Sequence, residues 1–145
     1  MVMSANDRLM AKILGARIIA VVGLSKDPAK PSHGVASYLQ SHGYRIIPIN
    51  PTIDEVLGEK AYKSLPDLPE ELKRQIDVVD IFRRAEDVSP IVEQAIELHN
   101  SYRHPIAVWM QLGIVNEDAA RKATAAGLDV IMDHCMKIEH GRLGL

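Results

Sequence analysis

Short β-branched runs that alternate with segments of helical periodicity are the feature that most constrains this chain. The first run, Arg17-Ile-Ile-Ala-Val-Val-Gly23, has no polar alternation, which is typical of a strand buried on both faces of a sheet. Similar runs follow at 45–50, 77–82, 105–109 and 128–132. Apolar residues with helical spacing lie between and before them, at 7–14, 32–43, 88–99 and 117–126. Strands that alternate with helices in this way predict a parallel sheet covered on both faces.

The predicted architecture is therefore α/β, a Rossmann-like doubly wound parallel sheet of about five strands in a single domain, residues 1–145. Ser32 and Asn116 are suited to cap the helices that follow them. Pro48 favours an edge position for the second strand, because proline cannot donate to a β-ladder. Residues 51–72 have an irregular pattern, which we interpret as a loop that leads into a short helix.

Charge and composition exclude several classes of partner. The formal net charge is −2, so no overall positive field favours nucleic acid or an anionic membrane. With one cysteine, Cys135, no internal disulfide is possible and a reducing compartment is expected. Residues 1–12 lack the apolar core of a signal peptide, and the run 18–22 is too short to span a bilayer. We expect a cytoplasmic protein.

Ligands of such sheets bind beyond the carboxyl ends of the strands. The first strand ends at Gly23, and the loop after it opens a helix whose amides favour an anion. Ser25 and Ser32 are placed to donate hydrogen bonds to phosphate oxygens, and Lys30 adds positive charge. The loop lacks the G-x-G-x-x-G dinucleotide motif. An ordinary loop with a capped helix is the alternative interpretation.

The second strand is followed by Asn50-Pro51-Thr52, with no carboxylate before Asp54. NAD-binding domains place an acid here to accept hydrogen bonds from the ribose hydroxyls. Its absence disfavours a free diol and suits a ribose that carries a phosphate. Asn50 and Pro51 also favour a simple turn, so that alternative stays open.

The third strand ends at Phe82-Arg83-Arg84. Two cations here are suited to phosphates, and the ring offers an apolar face to a ligand. Alternatively, both arginines pair with Glu86 and Asp87 in the next turn.

The fourth strand tip, Trp109-Met110-Gln111, carries the only tryptophan, which is more often a core residue than part of a ligand site. At the fifth tip, His134 and Cys135 are adjacent and so make a poor catalytic dyad. The scattered histidines and the single cysteine have no metal-ligand spacing. We therefore predict no catalytic residue and no metal site, while a disulfide between Cys135 and a thiol ligand stays open as a hypothesis.

With these residues in view, the chain resembles the stand-alone CoA-binding protein family, whose fold is similar to the N-terminal domain of succinyl-CoA synthetase α subunits and of NDP-forming acyl-CoA synthetases. The resemblance covers nearly the whole chain. It is carried by Val21-Val-Gly-Leu-Ser25 with Lys30-Pro-Ser32, Gly43-Tyr-Arg-Ile-Ile-Pro-Ile-Asn-Pro51, GEKAYKSLPDL (58–68), Asp77-Val-Val-Asp-Ile-Phe-Arg83, Val108-Trp-Met-Gln-Leu-Gly-Ile114, and Met132-Asp-His-Cys135 with Lys137-Ile-Glu-His140.

The resemblance implies coenzyme A as the cofactor and assigns each site residue a part of it. The segment Gly23, Leu24 and Ser25, together with Ser32, would hold the diphosphate, with Lys30 nearby. Asn50 and Pro51 would flank the adenosine, and Phe82 and Arg83 would line the nucleotide. Trp109, Met110 and Gln111 would face the pantetheine arm. The family's usual Asp-Arg-Cys is Asp133-His134-Cys135 in this chain, so a contact made by that arginine would be lost.

Two classes of function follow. The first is binding of CoA or an acyl-CoA without catalysis, because the synthetases' second domain is absent from these 145 residues. The second is an enzyme, either a small NAD(P)-dependent oxidoreductase or a thiol or acyl-transfer enzyme that uses Cys135. A homodimer or a partner enzyme is compatible with either.

Overall fold

The computed structural model describes residues 3–145, and it contains the predicted five-stranded parallel sheet. The strands of the chain are β1 Ile18–Val22, β2 Arg45–Ile49, β3 Glu55–Val56, β4 Glu59–Lys60, β5 Val78–Ile81, β6 Ala107–Met110 and β7 Asp129–Ile131. The main sheet has the order β2-β1-β5-β6-β7, with every neighbouring pair parallel. The predicted fold class is confirmed.

Helices cover both faces of this sheet, as its largely apolar strands require. They are α1 Ala5–Leu14, α2 Pro31–Ser41, α3 Glu70–Lys73, α4 Val88–Tyr102, α5 Glu117–Ala125 and α6 Met136–Arg142. One core cluster packs α1, α2 and α6 against the sheet, and the other packs α3, α4 and α5 against the opposite face. The double winding gives each strand two buried faces.

The sheet order creates a crevice between β1 and β5. The chain passes from β1 to β2 on one side and then returns to place β5 on the other side of β1. Where strand order reverses, the loops leave in opposite directions and open a crevice at the carboxyl ends of the strands. Gly23 and Phe82 are the residues that follow β1 and β5 at this point.

Several boundaries follow local chemistry. Asn116 caps α5, since its side chain accepts a hydrogen bond from the Ala119 amide, as predicted. Pro48 lies in β2, an edge strand of the sheet, also as predicted. Ser32 is not the cap of α2. The helix begins at Pro31 after Lys30, which makes no side-chain cap, and Ser32 lies in the first turn.

Two elements were not predicted, the β3–β4 hairpin and α6. The hairpin turns through Leu57 and Gly58, both with positive φ. Leucine rarely adopts this conformation, so the local sequence did not indicate a tight turn. A contact from elsewhere holds the turn, because the Gln40 amide donates to the carbonyl of Leu57 at 3.0 Å.

Candidate functional site

Gly23 directly follows β1 and lies against Phe82, the residue that follows β5, at the ends of the two strands that border the crevice. Its φ is +88°, and a Cβ at this position would lie 2.4 Å from the carbonyl oxygen of Phe82. Its amide donates to Ile49 at 2.8 Å, while the Phe82 amide donates to Val22 at 2.8 Å. The glycine is therefore required by the close approach of the β5 backbone, independently of any ligand.

The loop after Gly23 is held by hydrogen bonds that its own residues make. The Ser25 amide donates to Oγ of Ser32, and the Asp27 amide donates to Oγ of Ser25, both at 3.0 Å. Each hydroxyl thus accepts from backbone, and neither donates its own proton to another residue of 3–145. Two hydroxyl donors at the start of α2 suit an anion, as the sequence predicts.

A cavity of about 560 Å³ opens at this edge between the tips of β1, β5 and β6, and we call it the main cavity. It collects predicted residues from four separate segments. They are Gly23, Ser25, Lys30, Ser32, Phe82, Arg83 and Gln111. A cavity of this size, mostly apolar with a few convergent polar groups, is the usual form of a small-molecule site.

Arg83 and Arg84 have different surroundings. Arg84 pairs with Asp87 at 3.0 Å and with Glu86 at 3.5 Å, and the hydrogen bond to Asp87 raises the pKa of this arginine. Arg83 makes no hydrogen bond or ion pair within the described residues, and its side chain lines the main cavity. The alternative of a structural ion pair thus applies to Arg84, and Arg83 is left as an unpaired cation at the crevice.

A second cavity, of about 400 Å³, adjoins the first through Gly23, Phe82 and Arg83, and we call it the side cavity. Asn50 and Pro51 line it. The Asn50 side chain bonds to both strand tips: its amide donates to the carbonyl of Leu24 at 2.9 Å, and its oxygen accepts from Thr52. Asn50 therefore shapes the wall of the cavity by joining the first and second strand tips.

Carboxylates near the side cavity do not replace the missing ribose-binding acid. Asp54 lines neither cavity, and Asp87, which lines the side cavity, is engaged by Arg84.

Three of the predicted site residues have no surface at either cavity. Leu24, Trp109 and Met110 are fully buried in the core. The Trp109 indole donates to the carbonyl of His134 at 2.8 Å and so joins the fourth and fifth strand tips. Trp109 and Met110 are buried because the side chains of β6 alternate between two covered faces, each packed into a core cluster. Their contact with a ligand stays a prediction without support from the cavity lining.

Gln111 is the member of that tip whose side chain reaches the main cavity. It is buried, and its Oε1 accepts a hydrogen bond from the amide of Met136 at 3.2 Å. This contact ties the first turn of α6 to the end of β6.

The main cavity also contains residues that the sequence did not single out. Leu112, Ile114 and Ile138 line it together with Cys135, which was considered as a thiol. Leu112 and Ile114 follow a predicted strand tip, which was a usable signal. Ile138 lies on α6, and without that helix no local pattern connected it to the site.

Within residues 3–145, no group of three or more His, Cys, Asp or Glu side chains is arranged to hold a metal ion. None of the helices described is both long and apolar enough to cross a membrane.

Comparison with known proteins defines the class. A protein-family model described as a CoA binding domain matches residues 17–141. The match includes every strand and both cavities, and the chain belongs to this family. The uncharacterised protein YneT of Bacillus subtilis is 45% identical over 122 residues, which is 84% of each chain.

Larger relatives carry a similar region. The α subunit of an ADP-forming acetate–CoA ligase II from Pyrococcus furiosus is 42% identical over 64 residues. These residues are 43% of this chain and 14% of the ligase subunit. Among solved structures, a hypothetical protein from Pyrococcus horikoshii is 38% identical with a TM-score of 0.84, covering 94% of this chain and 91% of its own.

Proposed function

We propose that this protein is a cytoplasmic binding module for coenzyme A, with no catalysis of its own. The observation that carries the proposal is the position of Arg83, an unpaired cation shared by two adjoining cavities at the switch point of a parallel sheet. Membership of the CoA-binding-domain family supports the same ligand.

In the proposed arrangement the phosphates of coenzyme A lie where the two cavities meet. Ser25 and Ser32 donate their hydroxyl protons to the diphosphate, and Arg83 and Lys30 neutralise its charge. The adenosine occupies the side cavity against Asn50 and Pro51. The pantetheine arm then extends through the main cavity toward Gln111.

Titration calorimetry with CoA, acetyl-CoA, NAD and NADP tests the ligand. We expect binding of CoA or its thioester and much weaker binding of both nicotinamide cofactors, because among residues 3–145 no unpaired carboxylate lines the side cavity to bind a ribose diol. Preference for NAD or NADP would overturn the proposal and favour the oxidoreductase.

The charge reversal Arg83→Glu tests the phosphate contact. A charge-assisted hydrogen bond contributes roughly 1.5–3 kcal/mol, so we expect CoA affinity to fall by about ten- to a hundred-fold. Arg45→Glu is the matched control, since Arg45 is an exposed arginine at the amino end of β2, the opposite edge of the same sheet. Equal affinities of Arg83→Glu and Arg45→Glu would show that this strand tip is misassigned.

Thiol chemistry is a second candidate, and the position of Cys135 in the main cavity favours it. Its thiolate would attack oxidised coenzyme A, forming a protein–CoA disulfide and releasing one CoA thiolate. Mass spectrometry after incubation with oxidised coenzyme A detects the adduct, with Cys135→Ser as the control. An unmodified mass would remove this candidate. An alkylation rate with the pH dependence of free cysteine would count against an activated, catalytic thiol.

A further inference from the structure

The main cavity has two chemically different ends, and the sheet order separates them. The polar end comes from the tips of β1 and β5, through Ser25, Lys30, Ser32 and Arg83. The other end comes from the tips of β6 and β7, the next two strands across the sheet. It is formed by Leu112 and Ile114 after β6 and by Ile138 on α6, after β7.

Two side chains of this second end, which we call the apolar end, are unusually exposed for their type. Leu112 is 64% exposed and Ile138 is 57% exposed, while most large apolar residues described in the structure are buried. Both side chains nevertheless line a concave site rather than a flat surface. Exposed apolar residues at the wall of a cavity are typical of a ligand-binding groove.

The proposed direction of coenzyme A places its sulfur at the apolar end. The phosphates lie against the tips of β1 and β5, and the pantetheine arm passes Gln111 at the tip of β6. An acyl group attached to that sulfur would emerge between Leu112 and Ile138. Burial of a methylene group stabilises a complex, whereas free CoA would leave these side chains in water.

We propose that the apolar end binds the alkyl part of an acyl-CoA, so that the physiological ligand is a thioester with an uncharged aliphatic acyl group. This inference rests on the proposed binding of coenzyme A. The charge distribution limits the acyl group. Lys30 and Arg83 are assigned to the diphosphate at the polar end, and Arg84, the remaining cation of the cavity lining, is already paired with Glu86 and Asp87. A terminal carboxylate on the acyl chain would therefore lose hydration without gaining a free cation.

A chain-length series tests the proposal. Calorimetric dissociation constants are measured for CoA and for its acetyl, butyryl, hexanoyl and octanoyl thioesters. A fully buried methylene corresponds to about a four-fold gain in affinity, so in this open groove we expect a gain of about two-fold for each methylene until the groove is filled. Succinyl-CoA has the same chain length as butyryl-CoA and a terminal carboxylate. It should bind more weakly than butyryl-CoA.

Two variants test whether the gain in affinity with chain length arises at the apolar end. Leu112→Ser and Ile138→Ser should reduce the affinity for octanoyl-CoA much more than the affinity for CoA, and so flatten the series. Leu145→Ser is the control, because Leu145 is an exposed leucine that lines neither cavity. It should leave the whole series unchanged.

The outcomes separate the two proposals. If CoA and its thioesters all fail to bind, both proposals are wrong. If CoA binds and chain length has no effect, only the acyl assignment is wrong. Sedimentation of the wild type and of Leu112→Ser tests whether a second copy of the chain covers the apolar end. A dimer that the variant dissociates, together with a flat series, would mean that a second copy of the chain covers these side chains, and would overturn the assignment.

Discussion

Gly23 illustrates how much one residue depends on its neighbours in space. As the residue at a strand end, it was predicted to let a ligand approach the backbone. The structure adds a stronger requirement, since a Cβ would lie 2.4 Å from the carbonyl oxygen of Phe82. That neighbour directly follows β5, which is distant in sequence, so only the folded chain could reveal the clash.

Alanine variants of Gly23 and Gly58 separate the cost of this clash from the cost of a positive φ alone. Gly58 also has a positive φ, but a Cβ there would meet no atom within 4 Å. We expect Gly58→Ala to cost about 1 kcal/mol in free energy of unfolding, and Gly23→Ala to cost at least about 2 kcal/mol, because β5 must also move. Urea unfolding of the two variants measures the difference. Equal losses would contradict a role of the Phe82 carbonyl.

Asp80 is an ionisable residue in a fully buried position. It lies in β5, is fully buried, and neither carboxylate oxygen has a hydrogen-bond partner among the described residues. Burial raises the pKa of this carboxyl well above its usual value of 3.8. In the unfolded chain the group ionises above pH 3.8, so stability falls as the pH rises from 3.8 toward the higher pKa of the folded state.

Asp80→Leu removes this cost with a side chain of similar shape. We expect the free energy of unfolding at pH 7 to rise by roughly 1–4 kcal/mol and its decrease with rising pH above pH 4 to become shallower. Urea unfolding of both proteins at pH 4.5 and 7 measures the change. A less stable variant at pH 7 would show that the carboxyl has a partner within the fold.

At the scale of elements, α6 was missed because its own sequence barely specifies it. It has seven residues, and its cap residue Cys135 makes no side-chain hydrogen bond. A helix this short is unstable by itself and depends on tertiary packing. The hydroxyl of Tyr38 on α2 lies 2.8 Å from Nδ1 of His140, and Arg142 pairs with Asp7 on α1 at 2.6 Å. These partners lie more than ninety positions away in sequence.

The same interface contains His140, whose titration we expect to affect the docking of α6. His140 is buried against Tyr38, His42 and Tyr44, with the His42 and His140 rings 5.0 Å apart. Burial, followed by the charge of His42, lowers the pKa of His140 below 6.5. The unfolded chain therefore takes up this proton first as the pH falls.

We expect the protein to lose stability as the pH falls through 6.5 toward the lower pKa of folded His140. His140→Gln, which keeps a partner for the Tyr38 hydroxyl, should reduce that loss between pH 7.5 and 5. His33→Gln is the control, because His33 lies in the first turn of α2, outside this interface. Urea unfolding at several pH values measures the slopes, and identical slopes in the wild type and His140→Gln would contradict the expectation.

At the scale of the whole molecule, the strand order brings the separate strand tips together at one candidate site. Counted within the main sheet alone, the order is 2-1-3-4-5, one of the common doubly wound arrangements. It places the ends of β1 and β5 side by side, and Gly23, Phe82 and Arg83 line both cavities as a result. The rule that ligands bind at the carboxyl edge predicts a site where the structure has these two cavities.

The sequence alone determined the alternation of strands and helices and the parallel sheet, because these follow from local periodicity and short loops. It also predicted the carboxyl edge of the sheet as the place for a ligand. It also identified the family. The residue pattern by itself did not distinguish Arg83 from Arg84, or Gln111 from the buried Trp109 and Met110.

The tertiary structure decided those questions because they depend on contacts between distant segments. In a sheet with two covered faces, most strand residues are apolar and buried, so the pattern does not show which side chain turns toward a cavity. The residues that pack nearby decide whether Arg83 has an ion-pair partner among residues 3–145, whether Trp109 is buried, and which side chains form the apolar end of the main cavity.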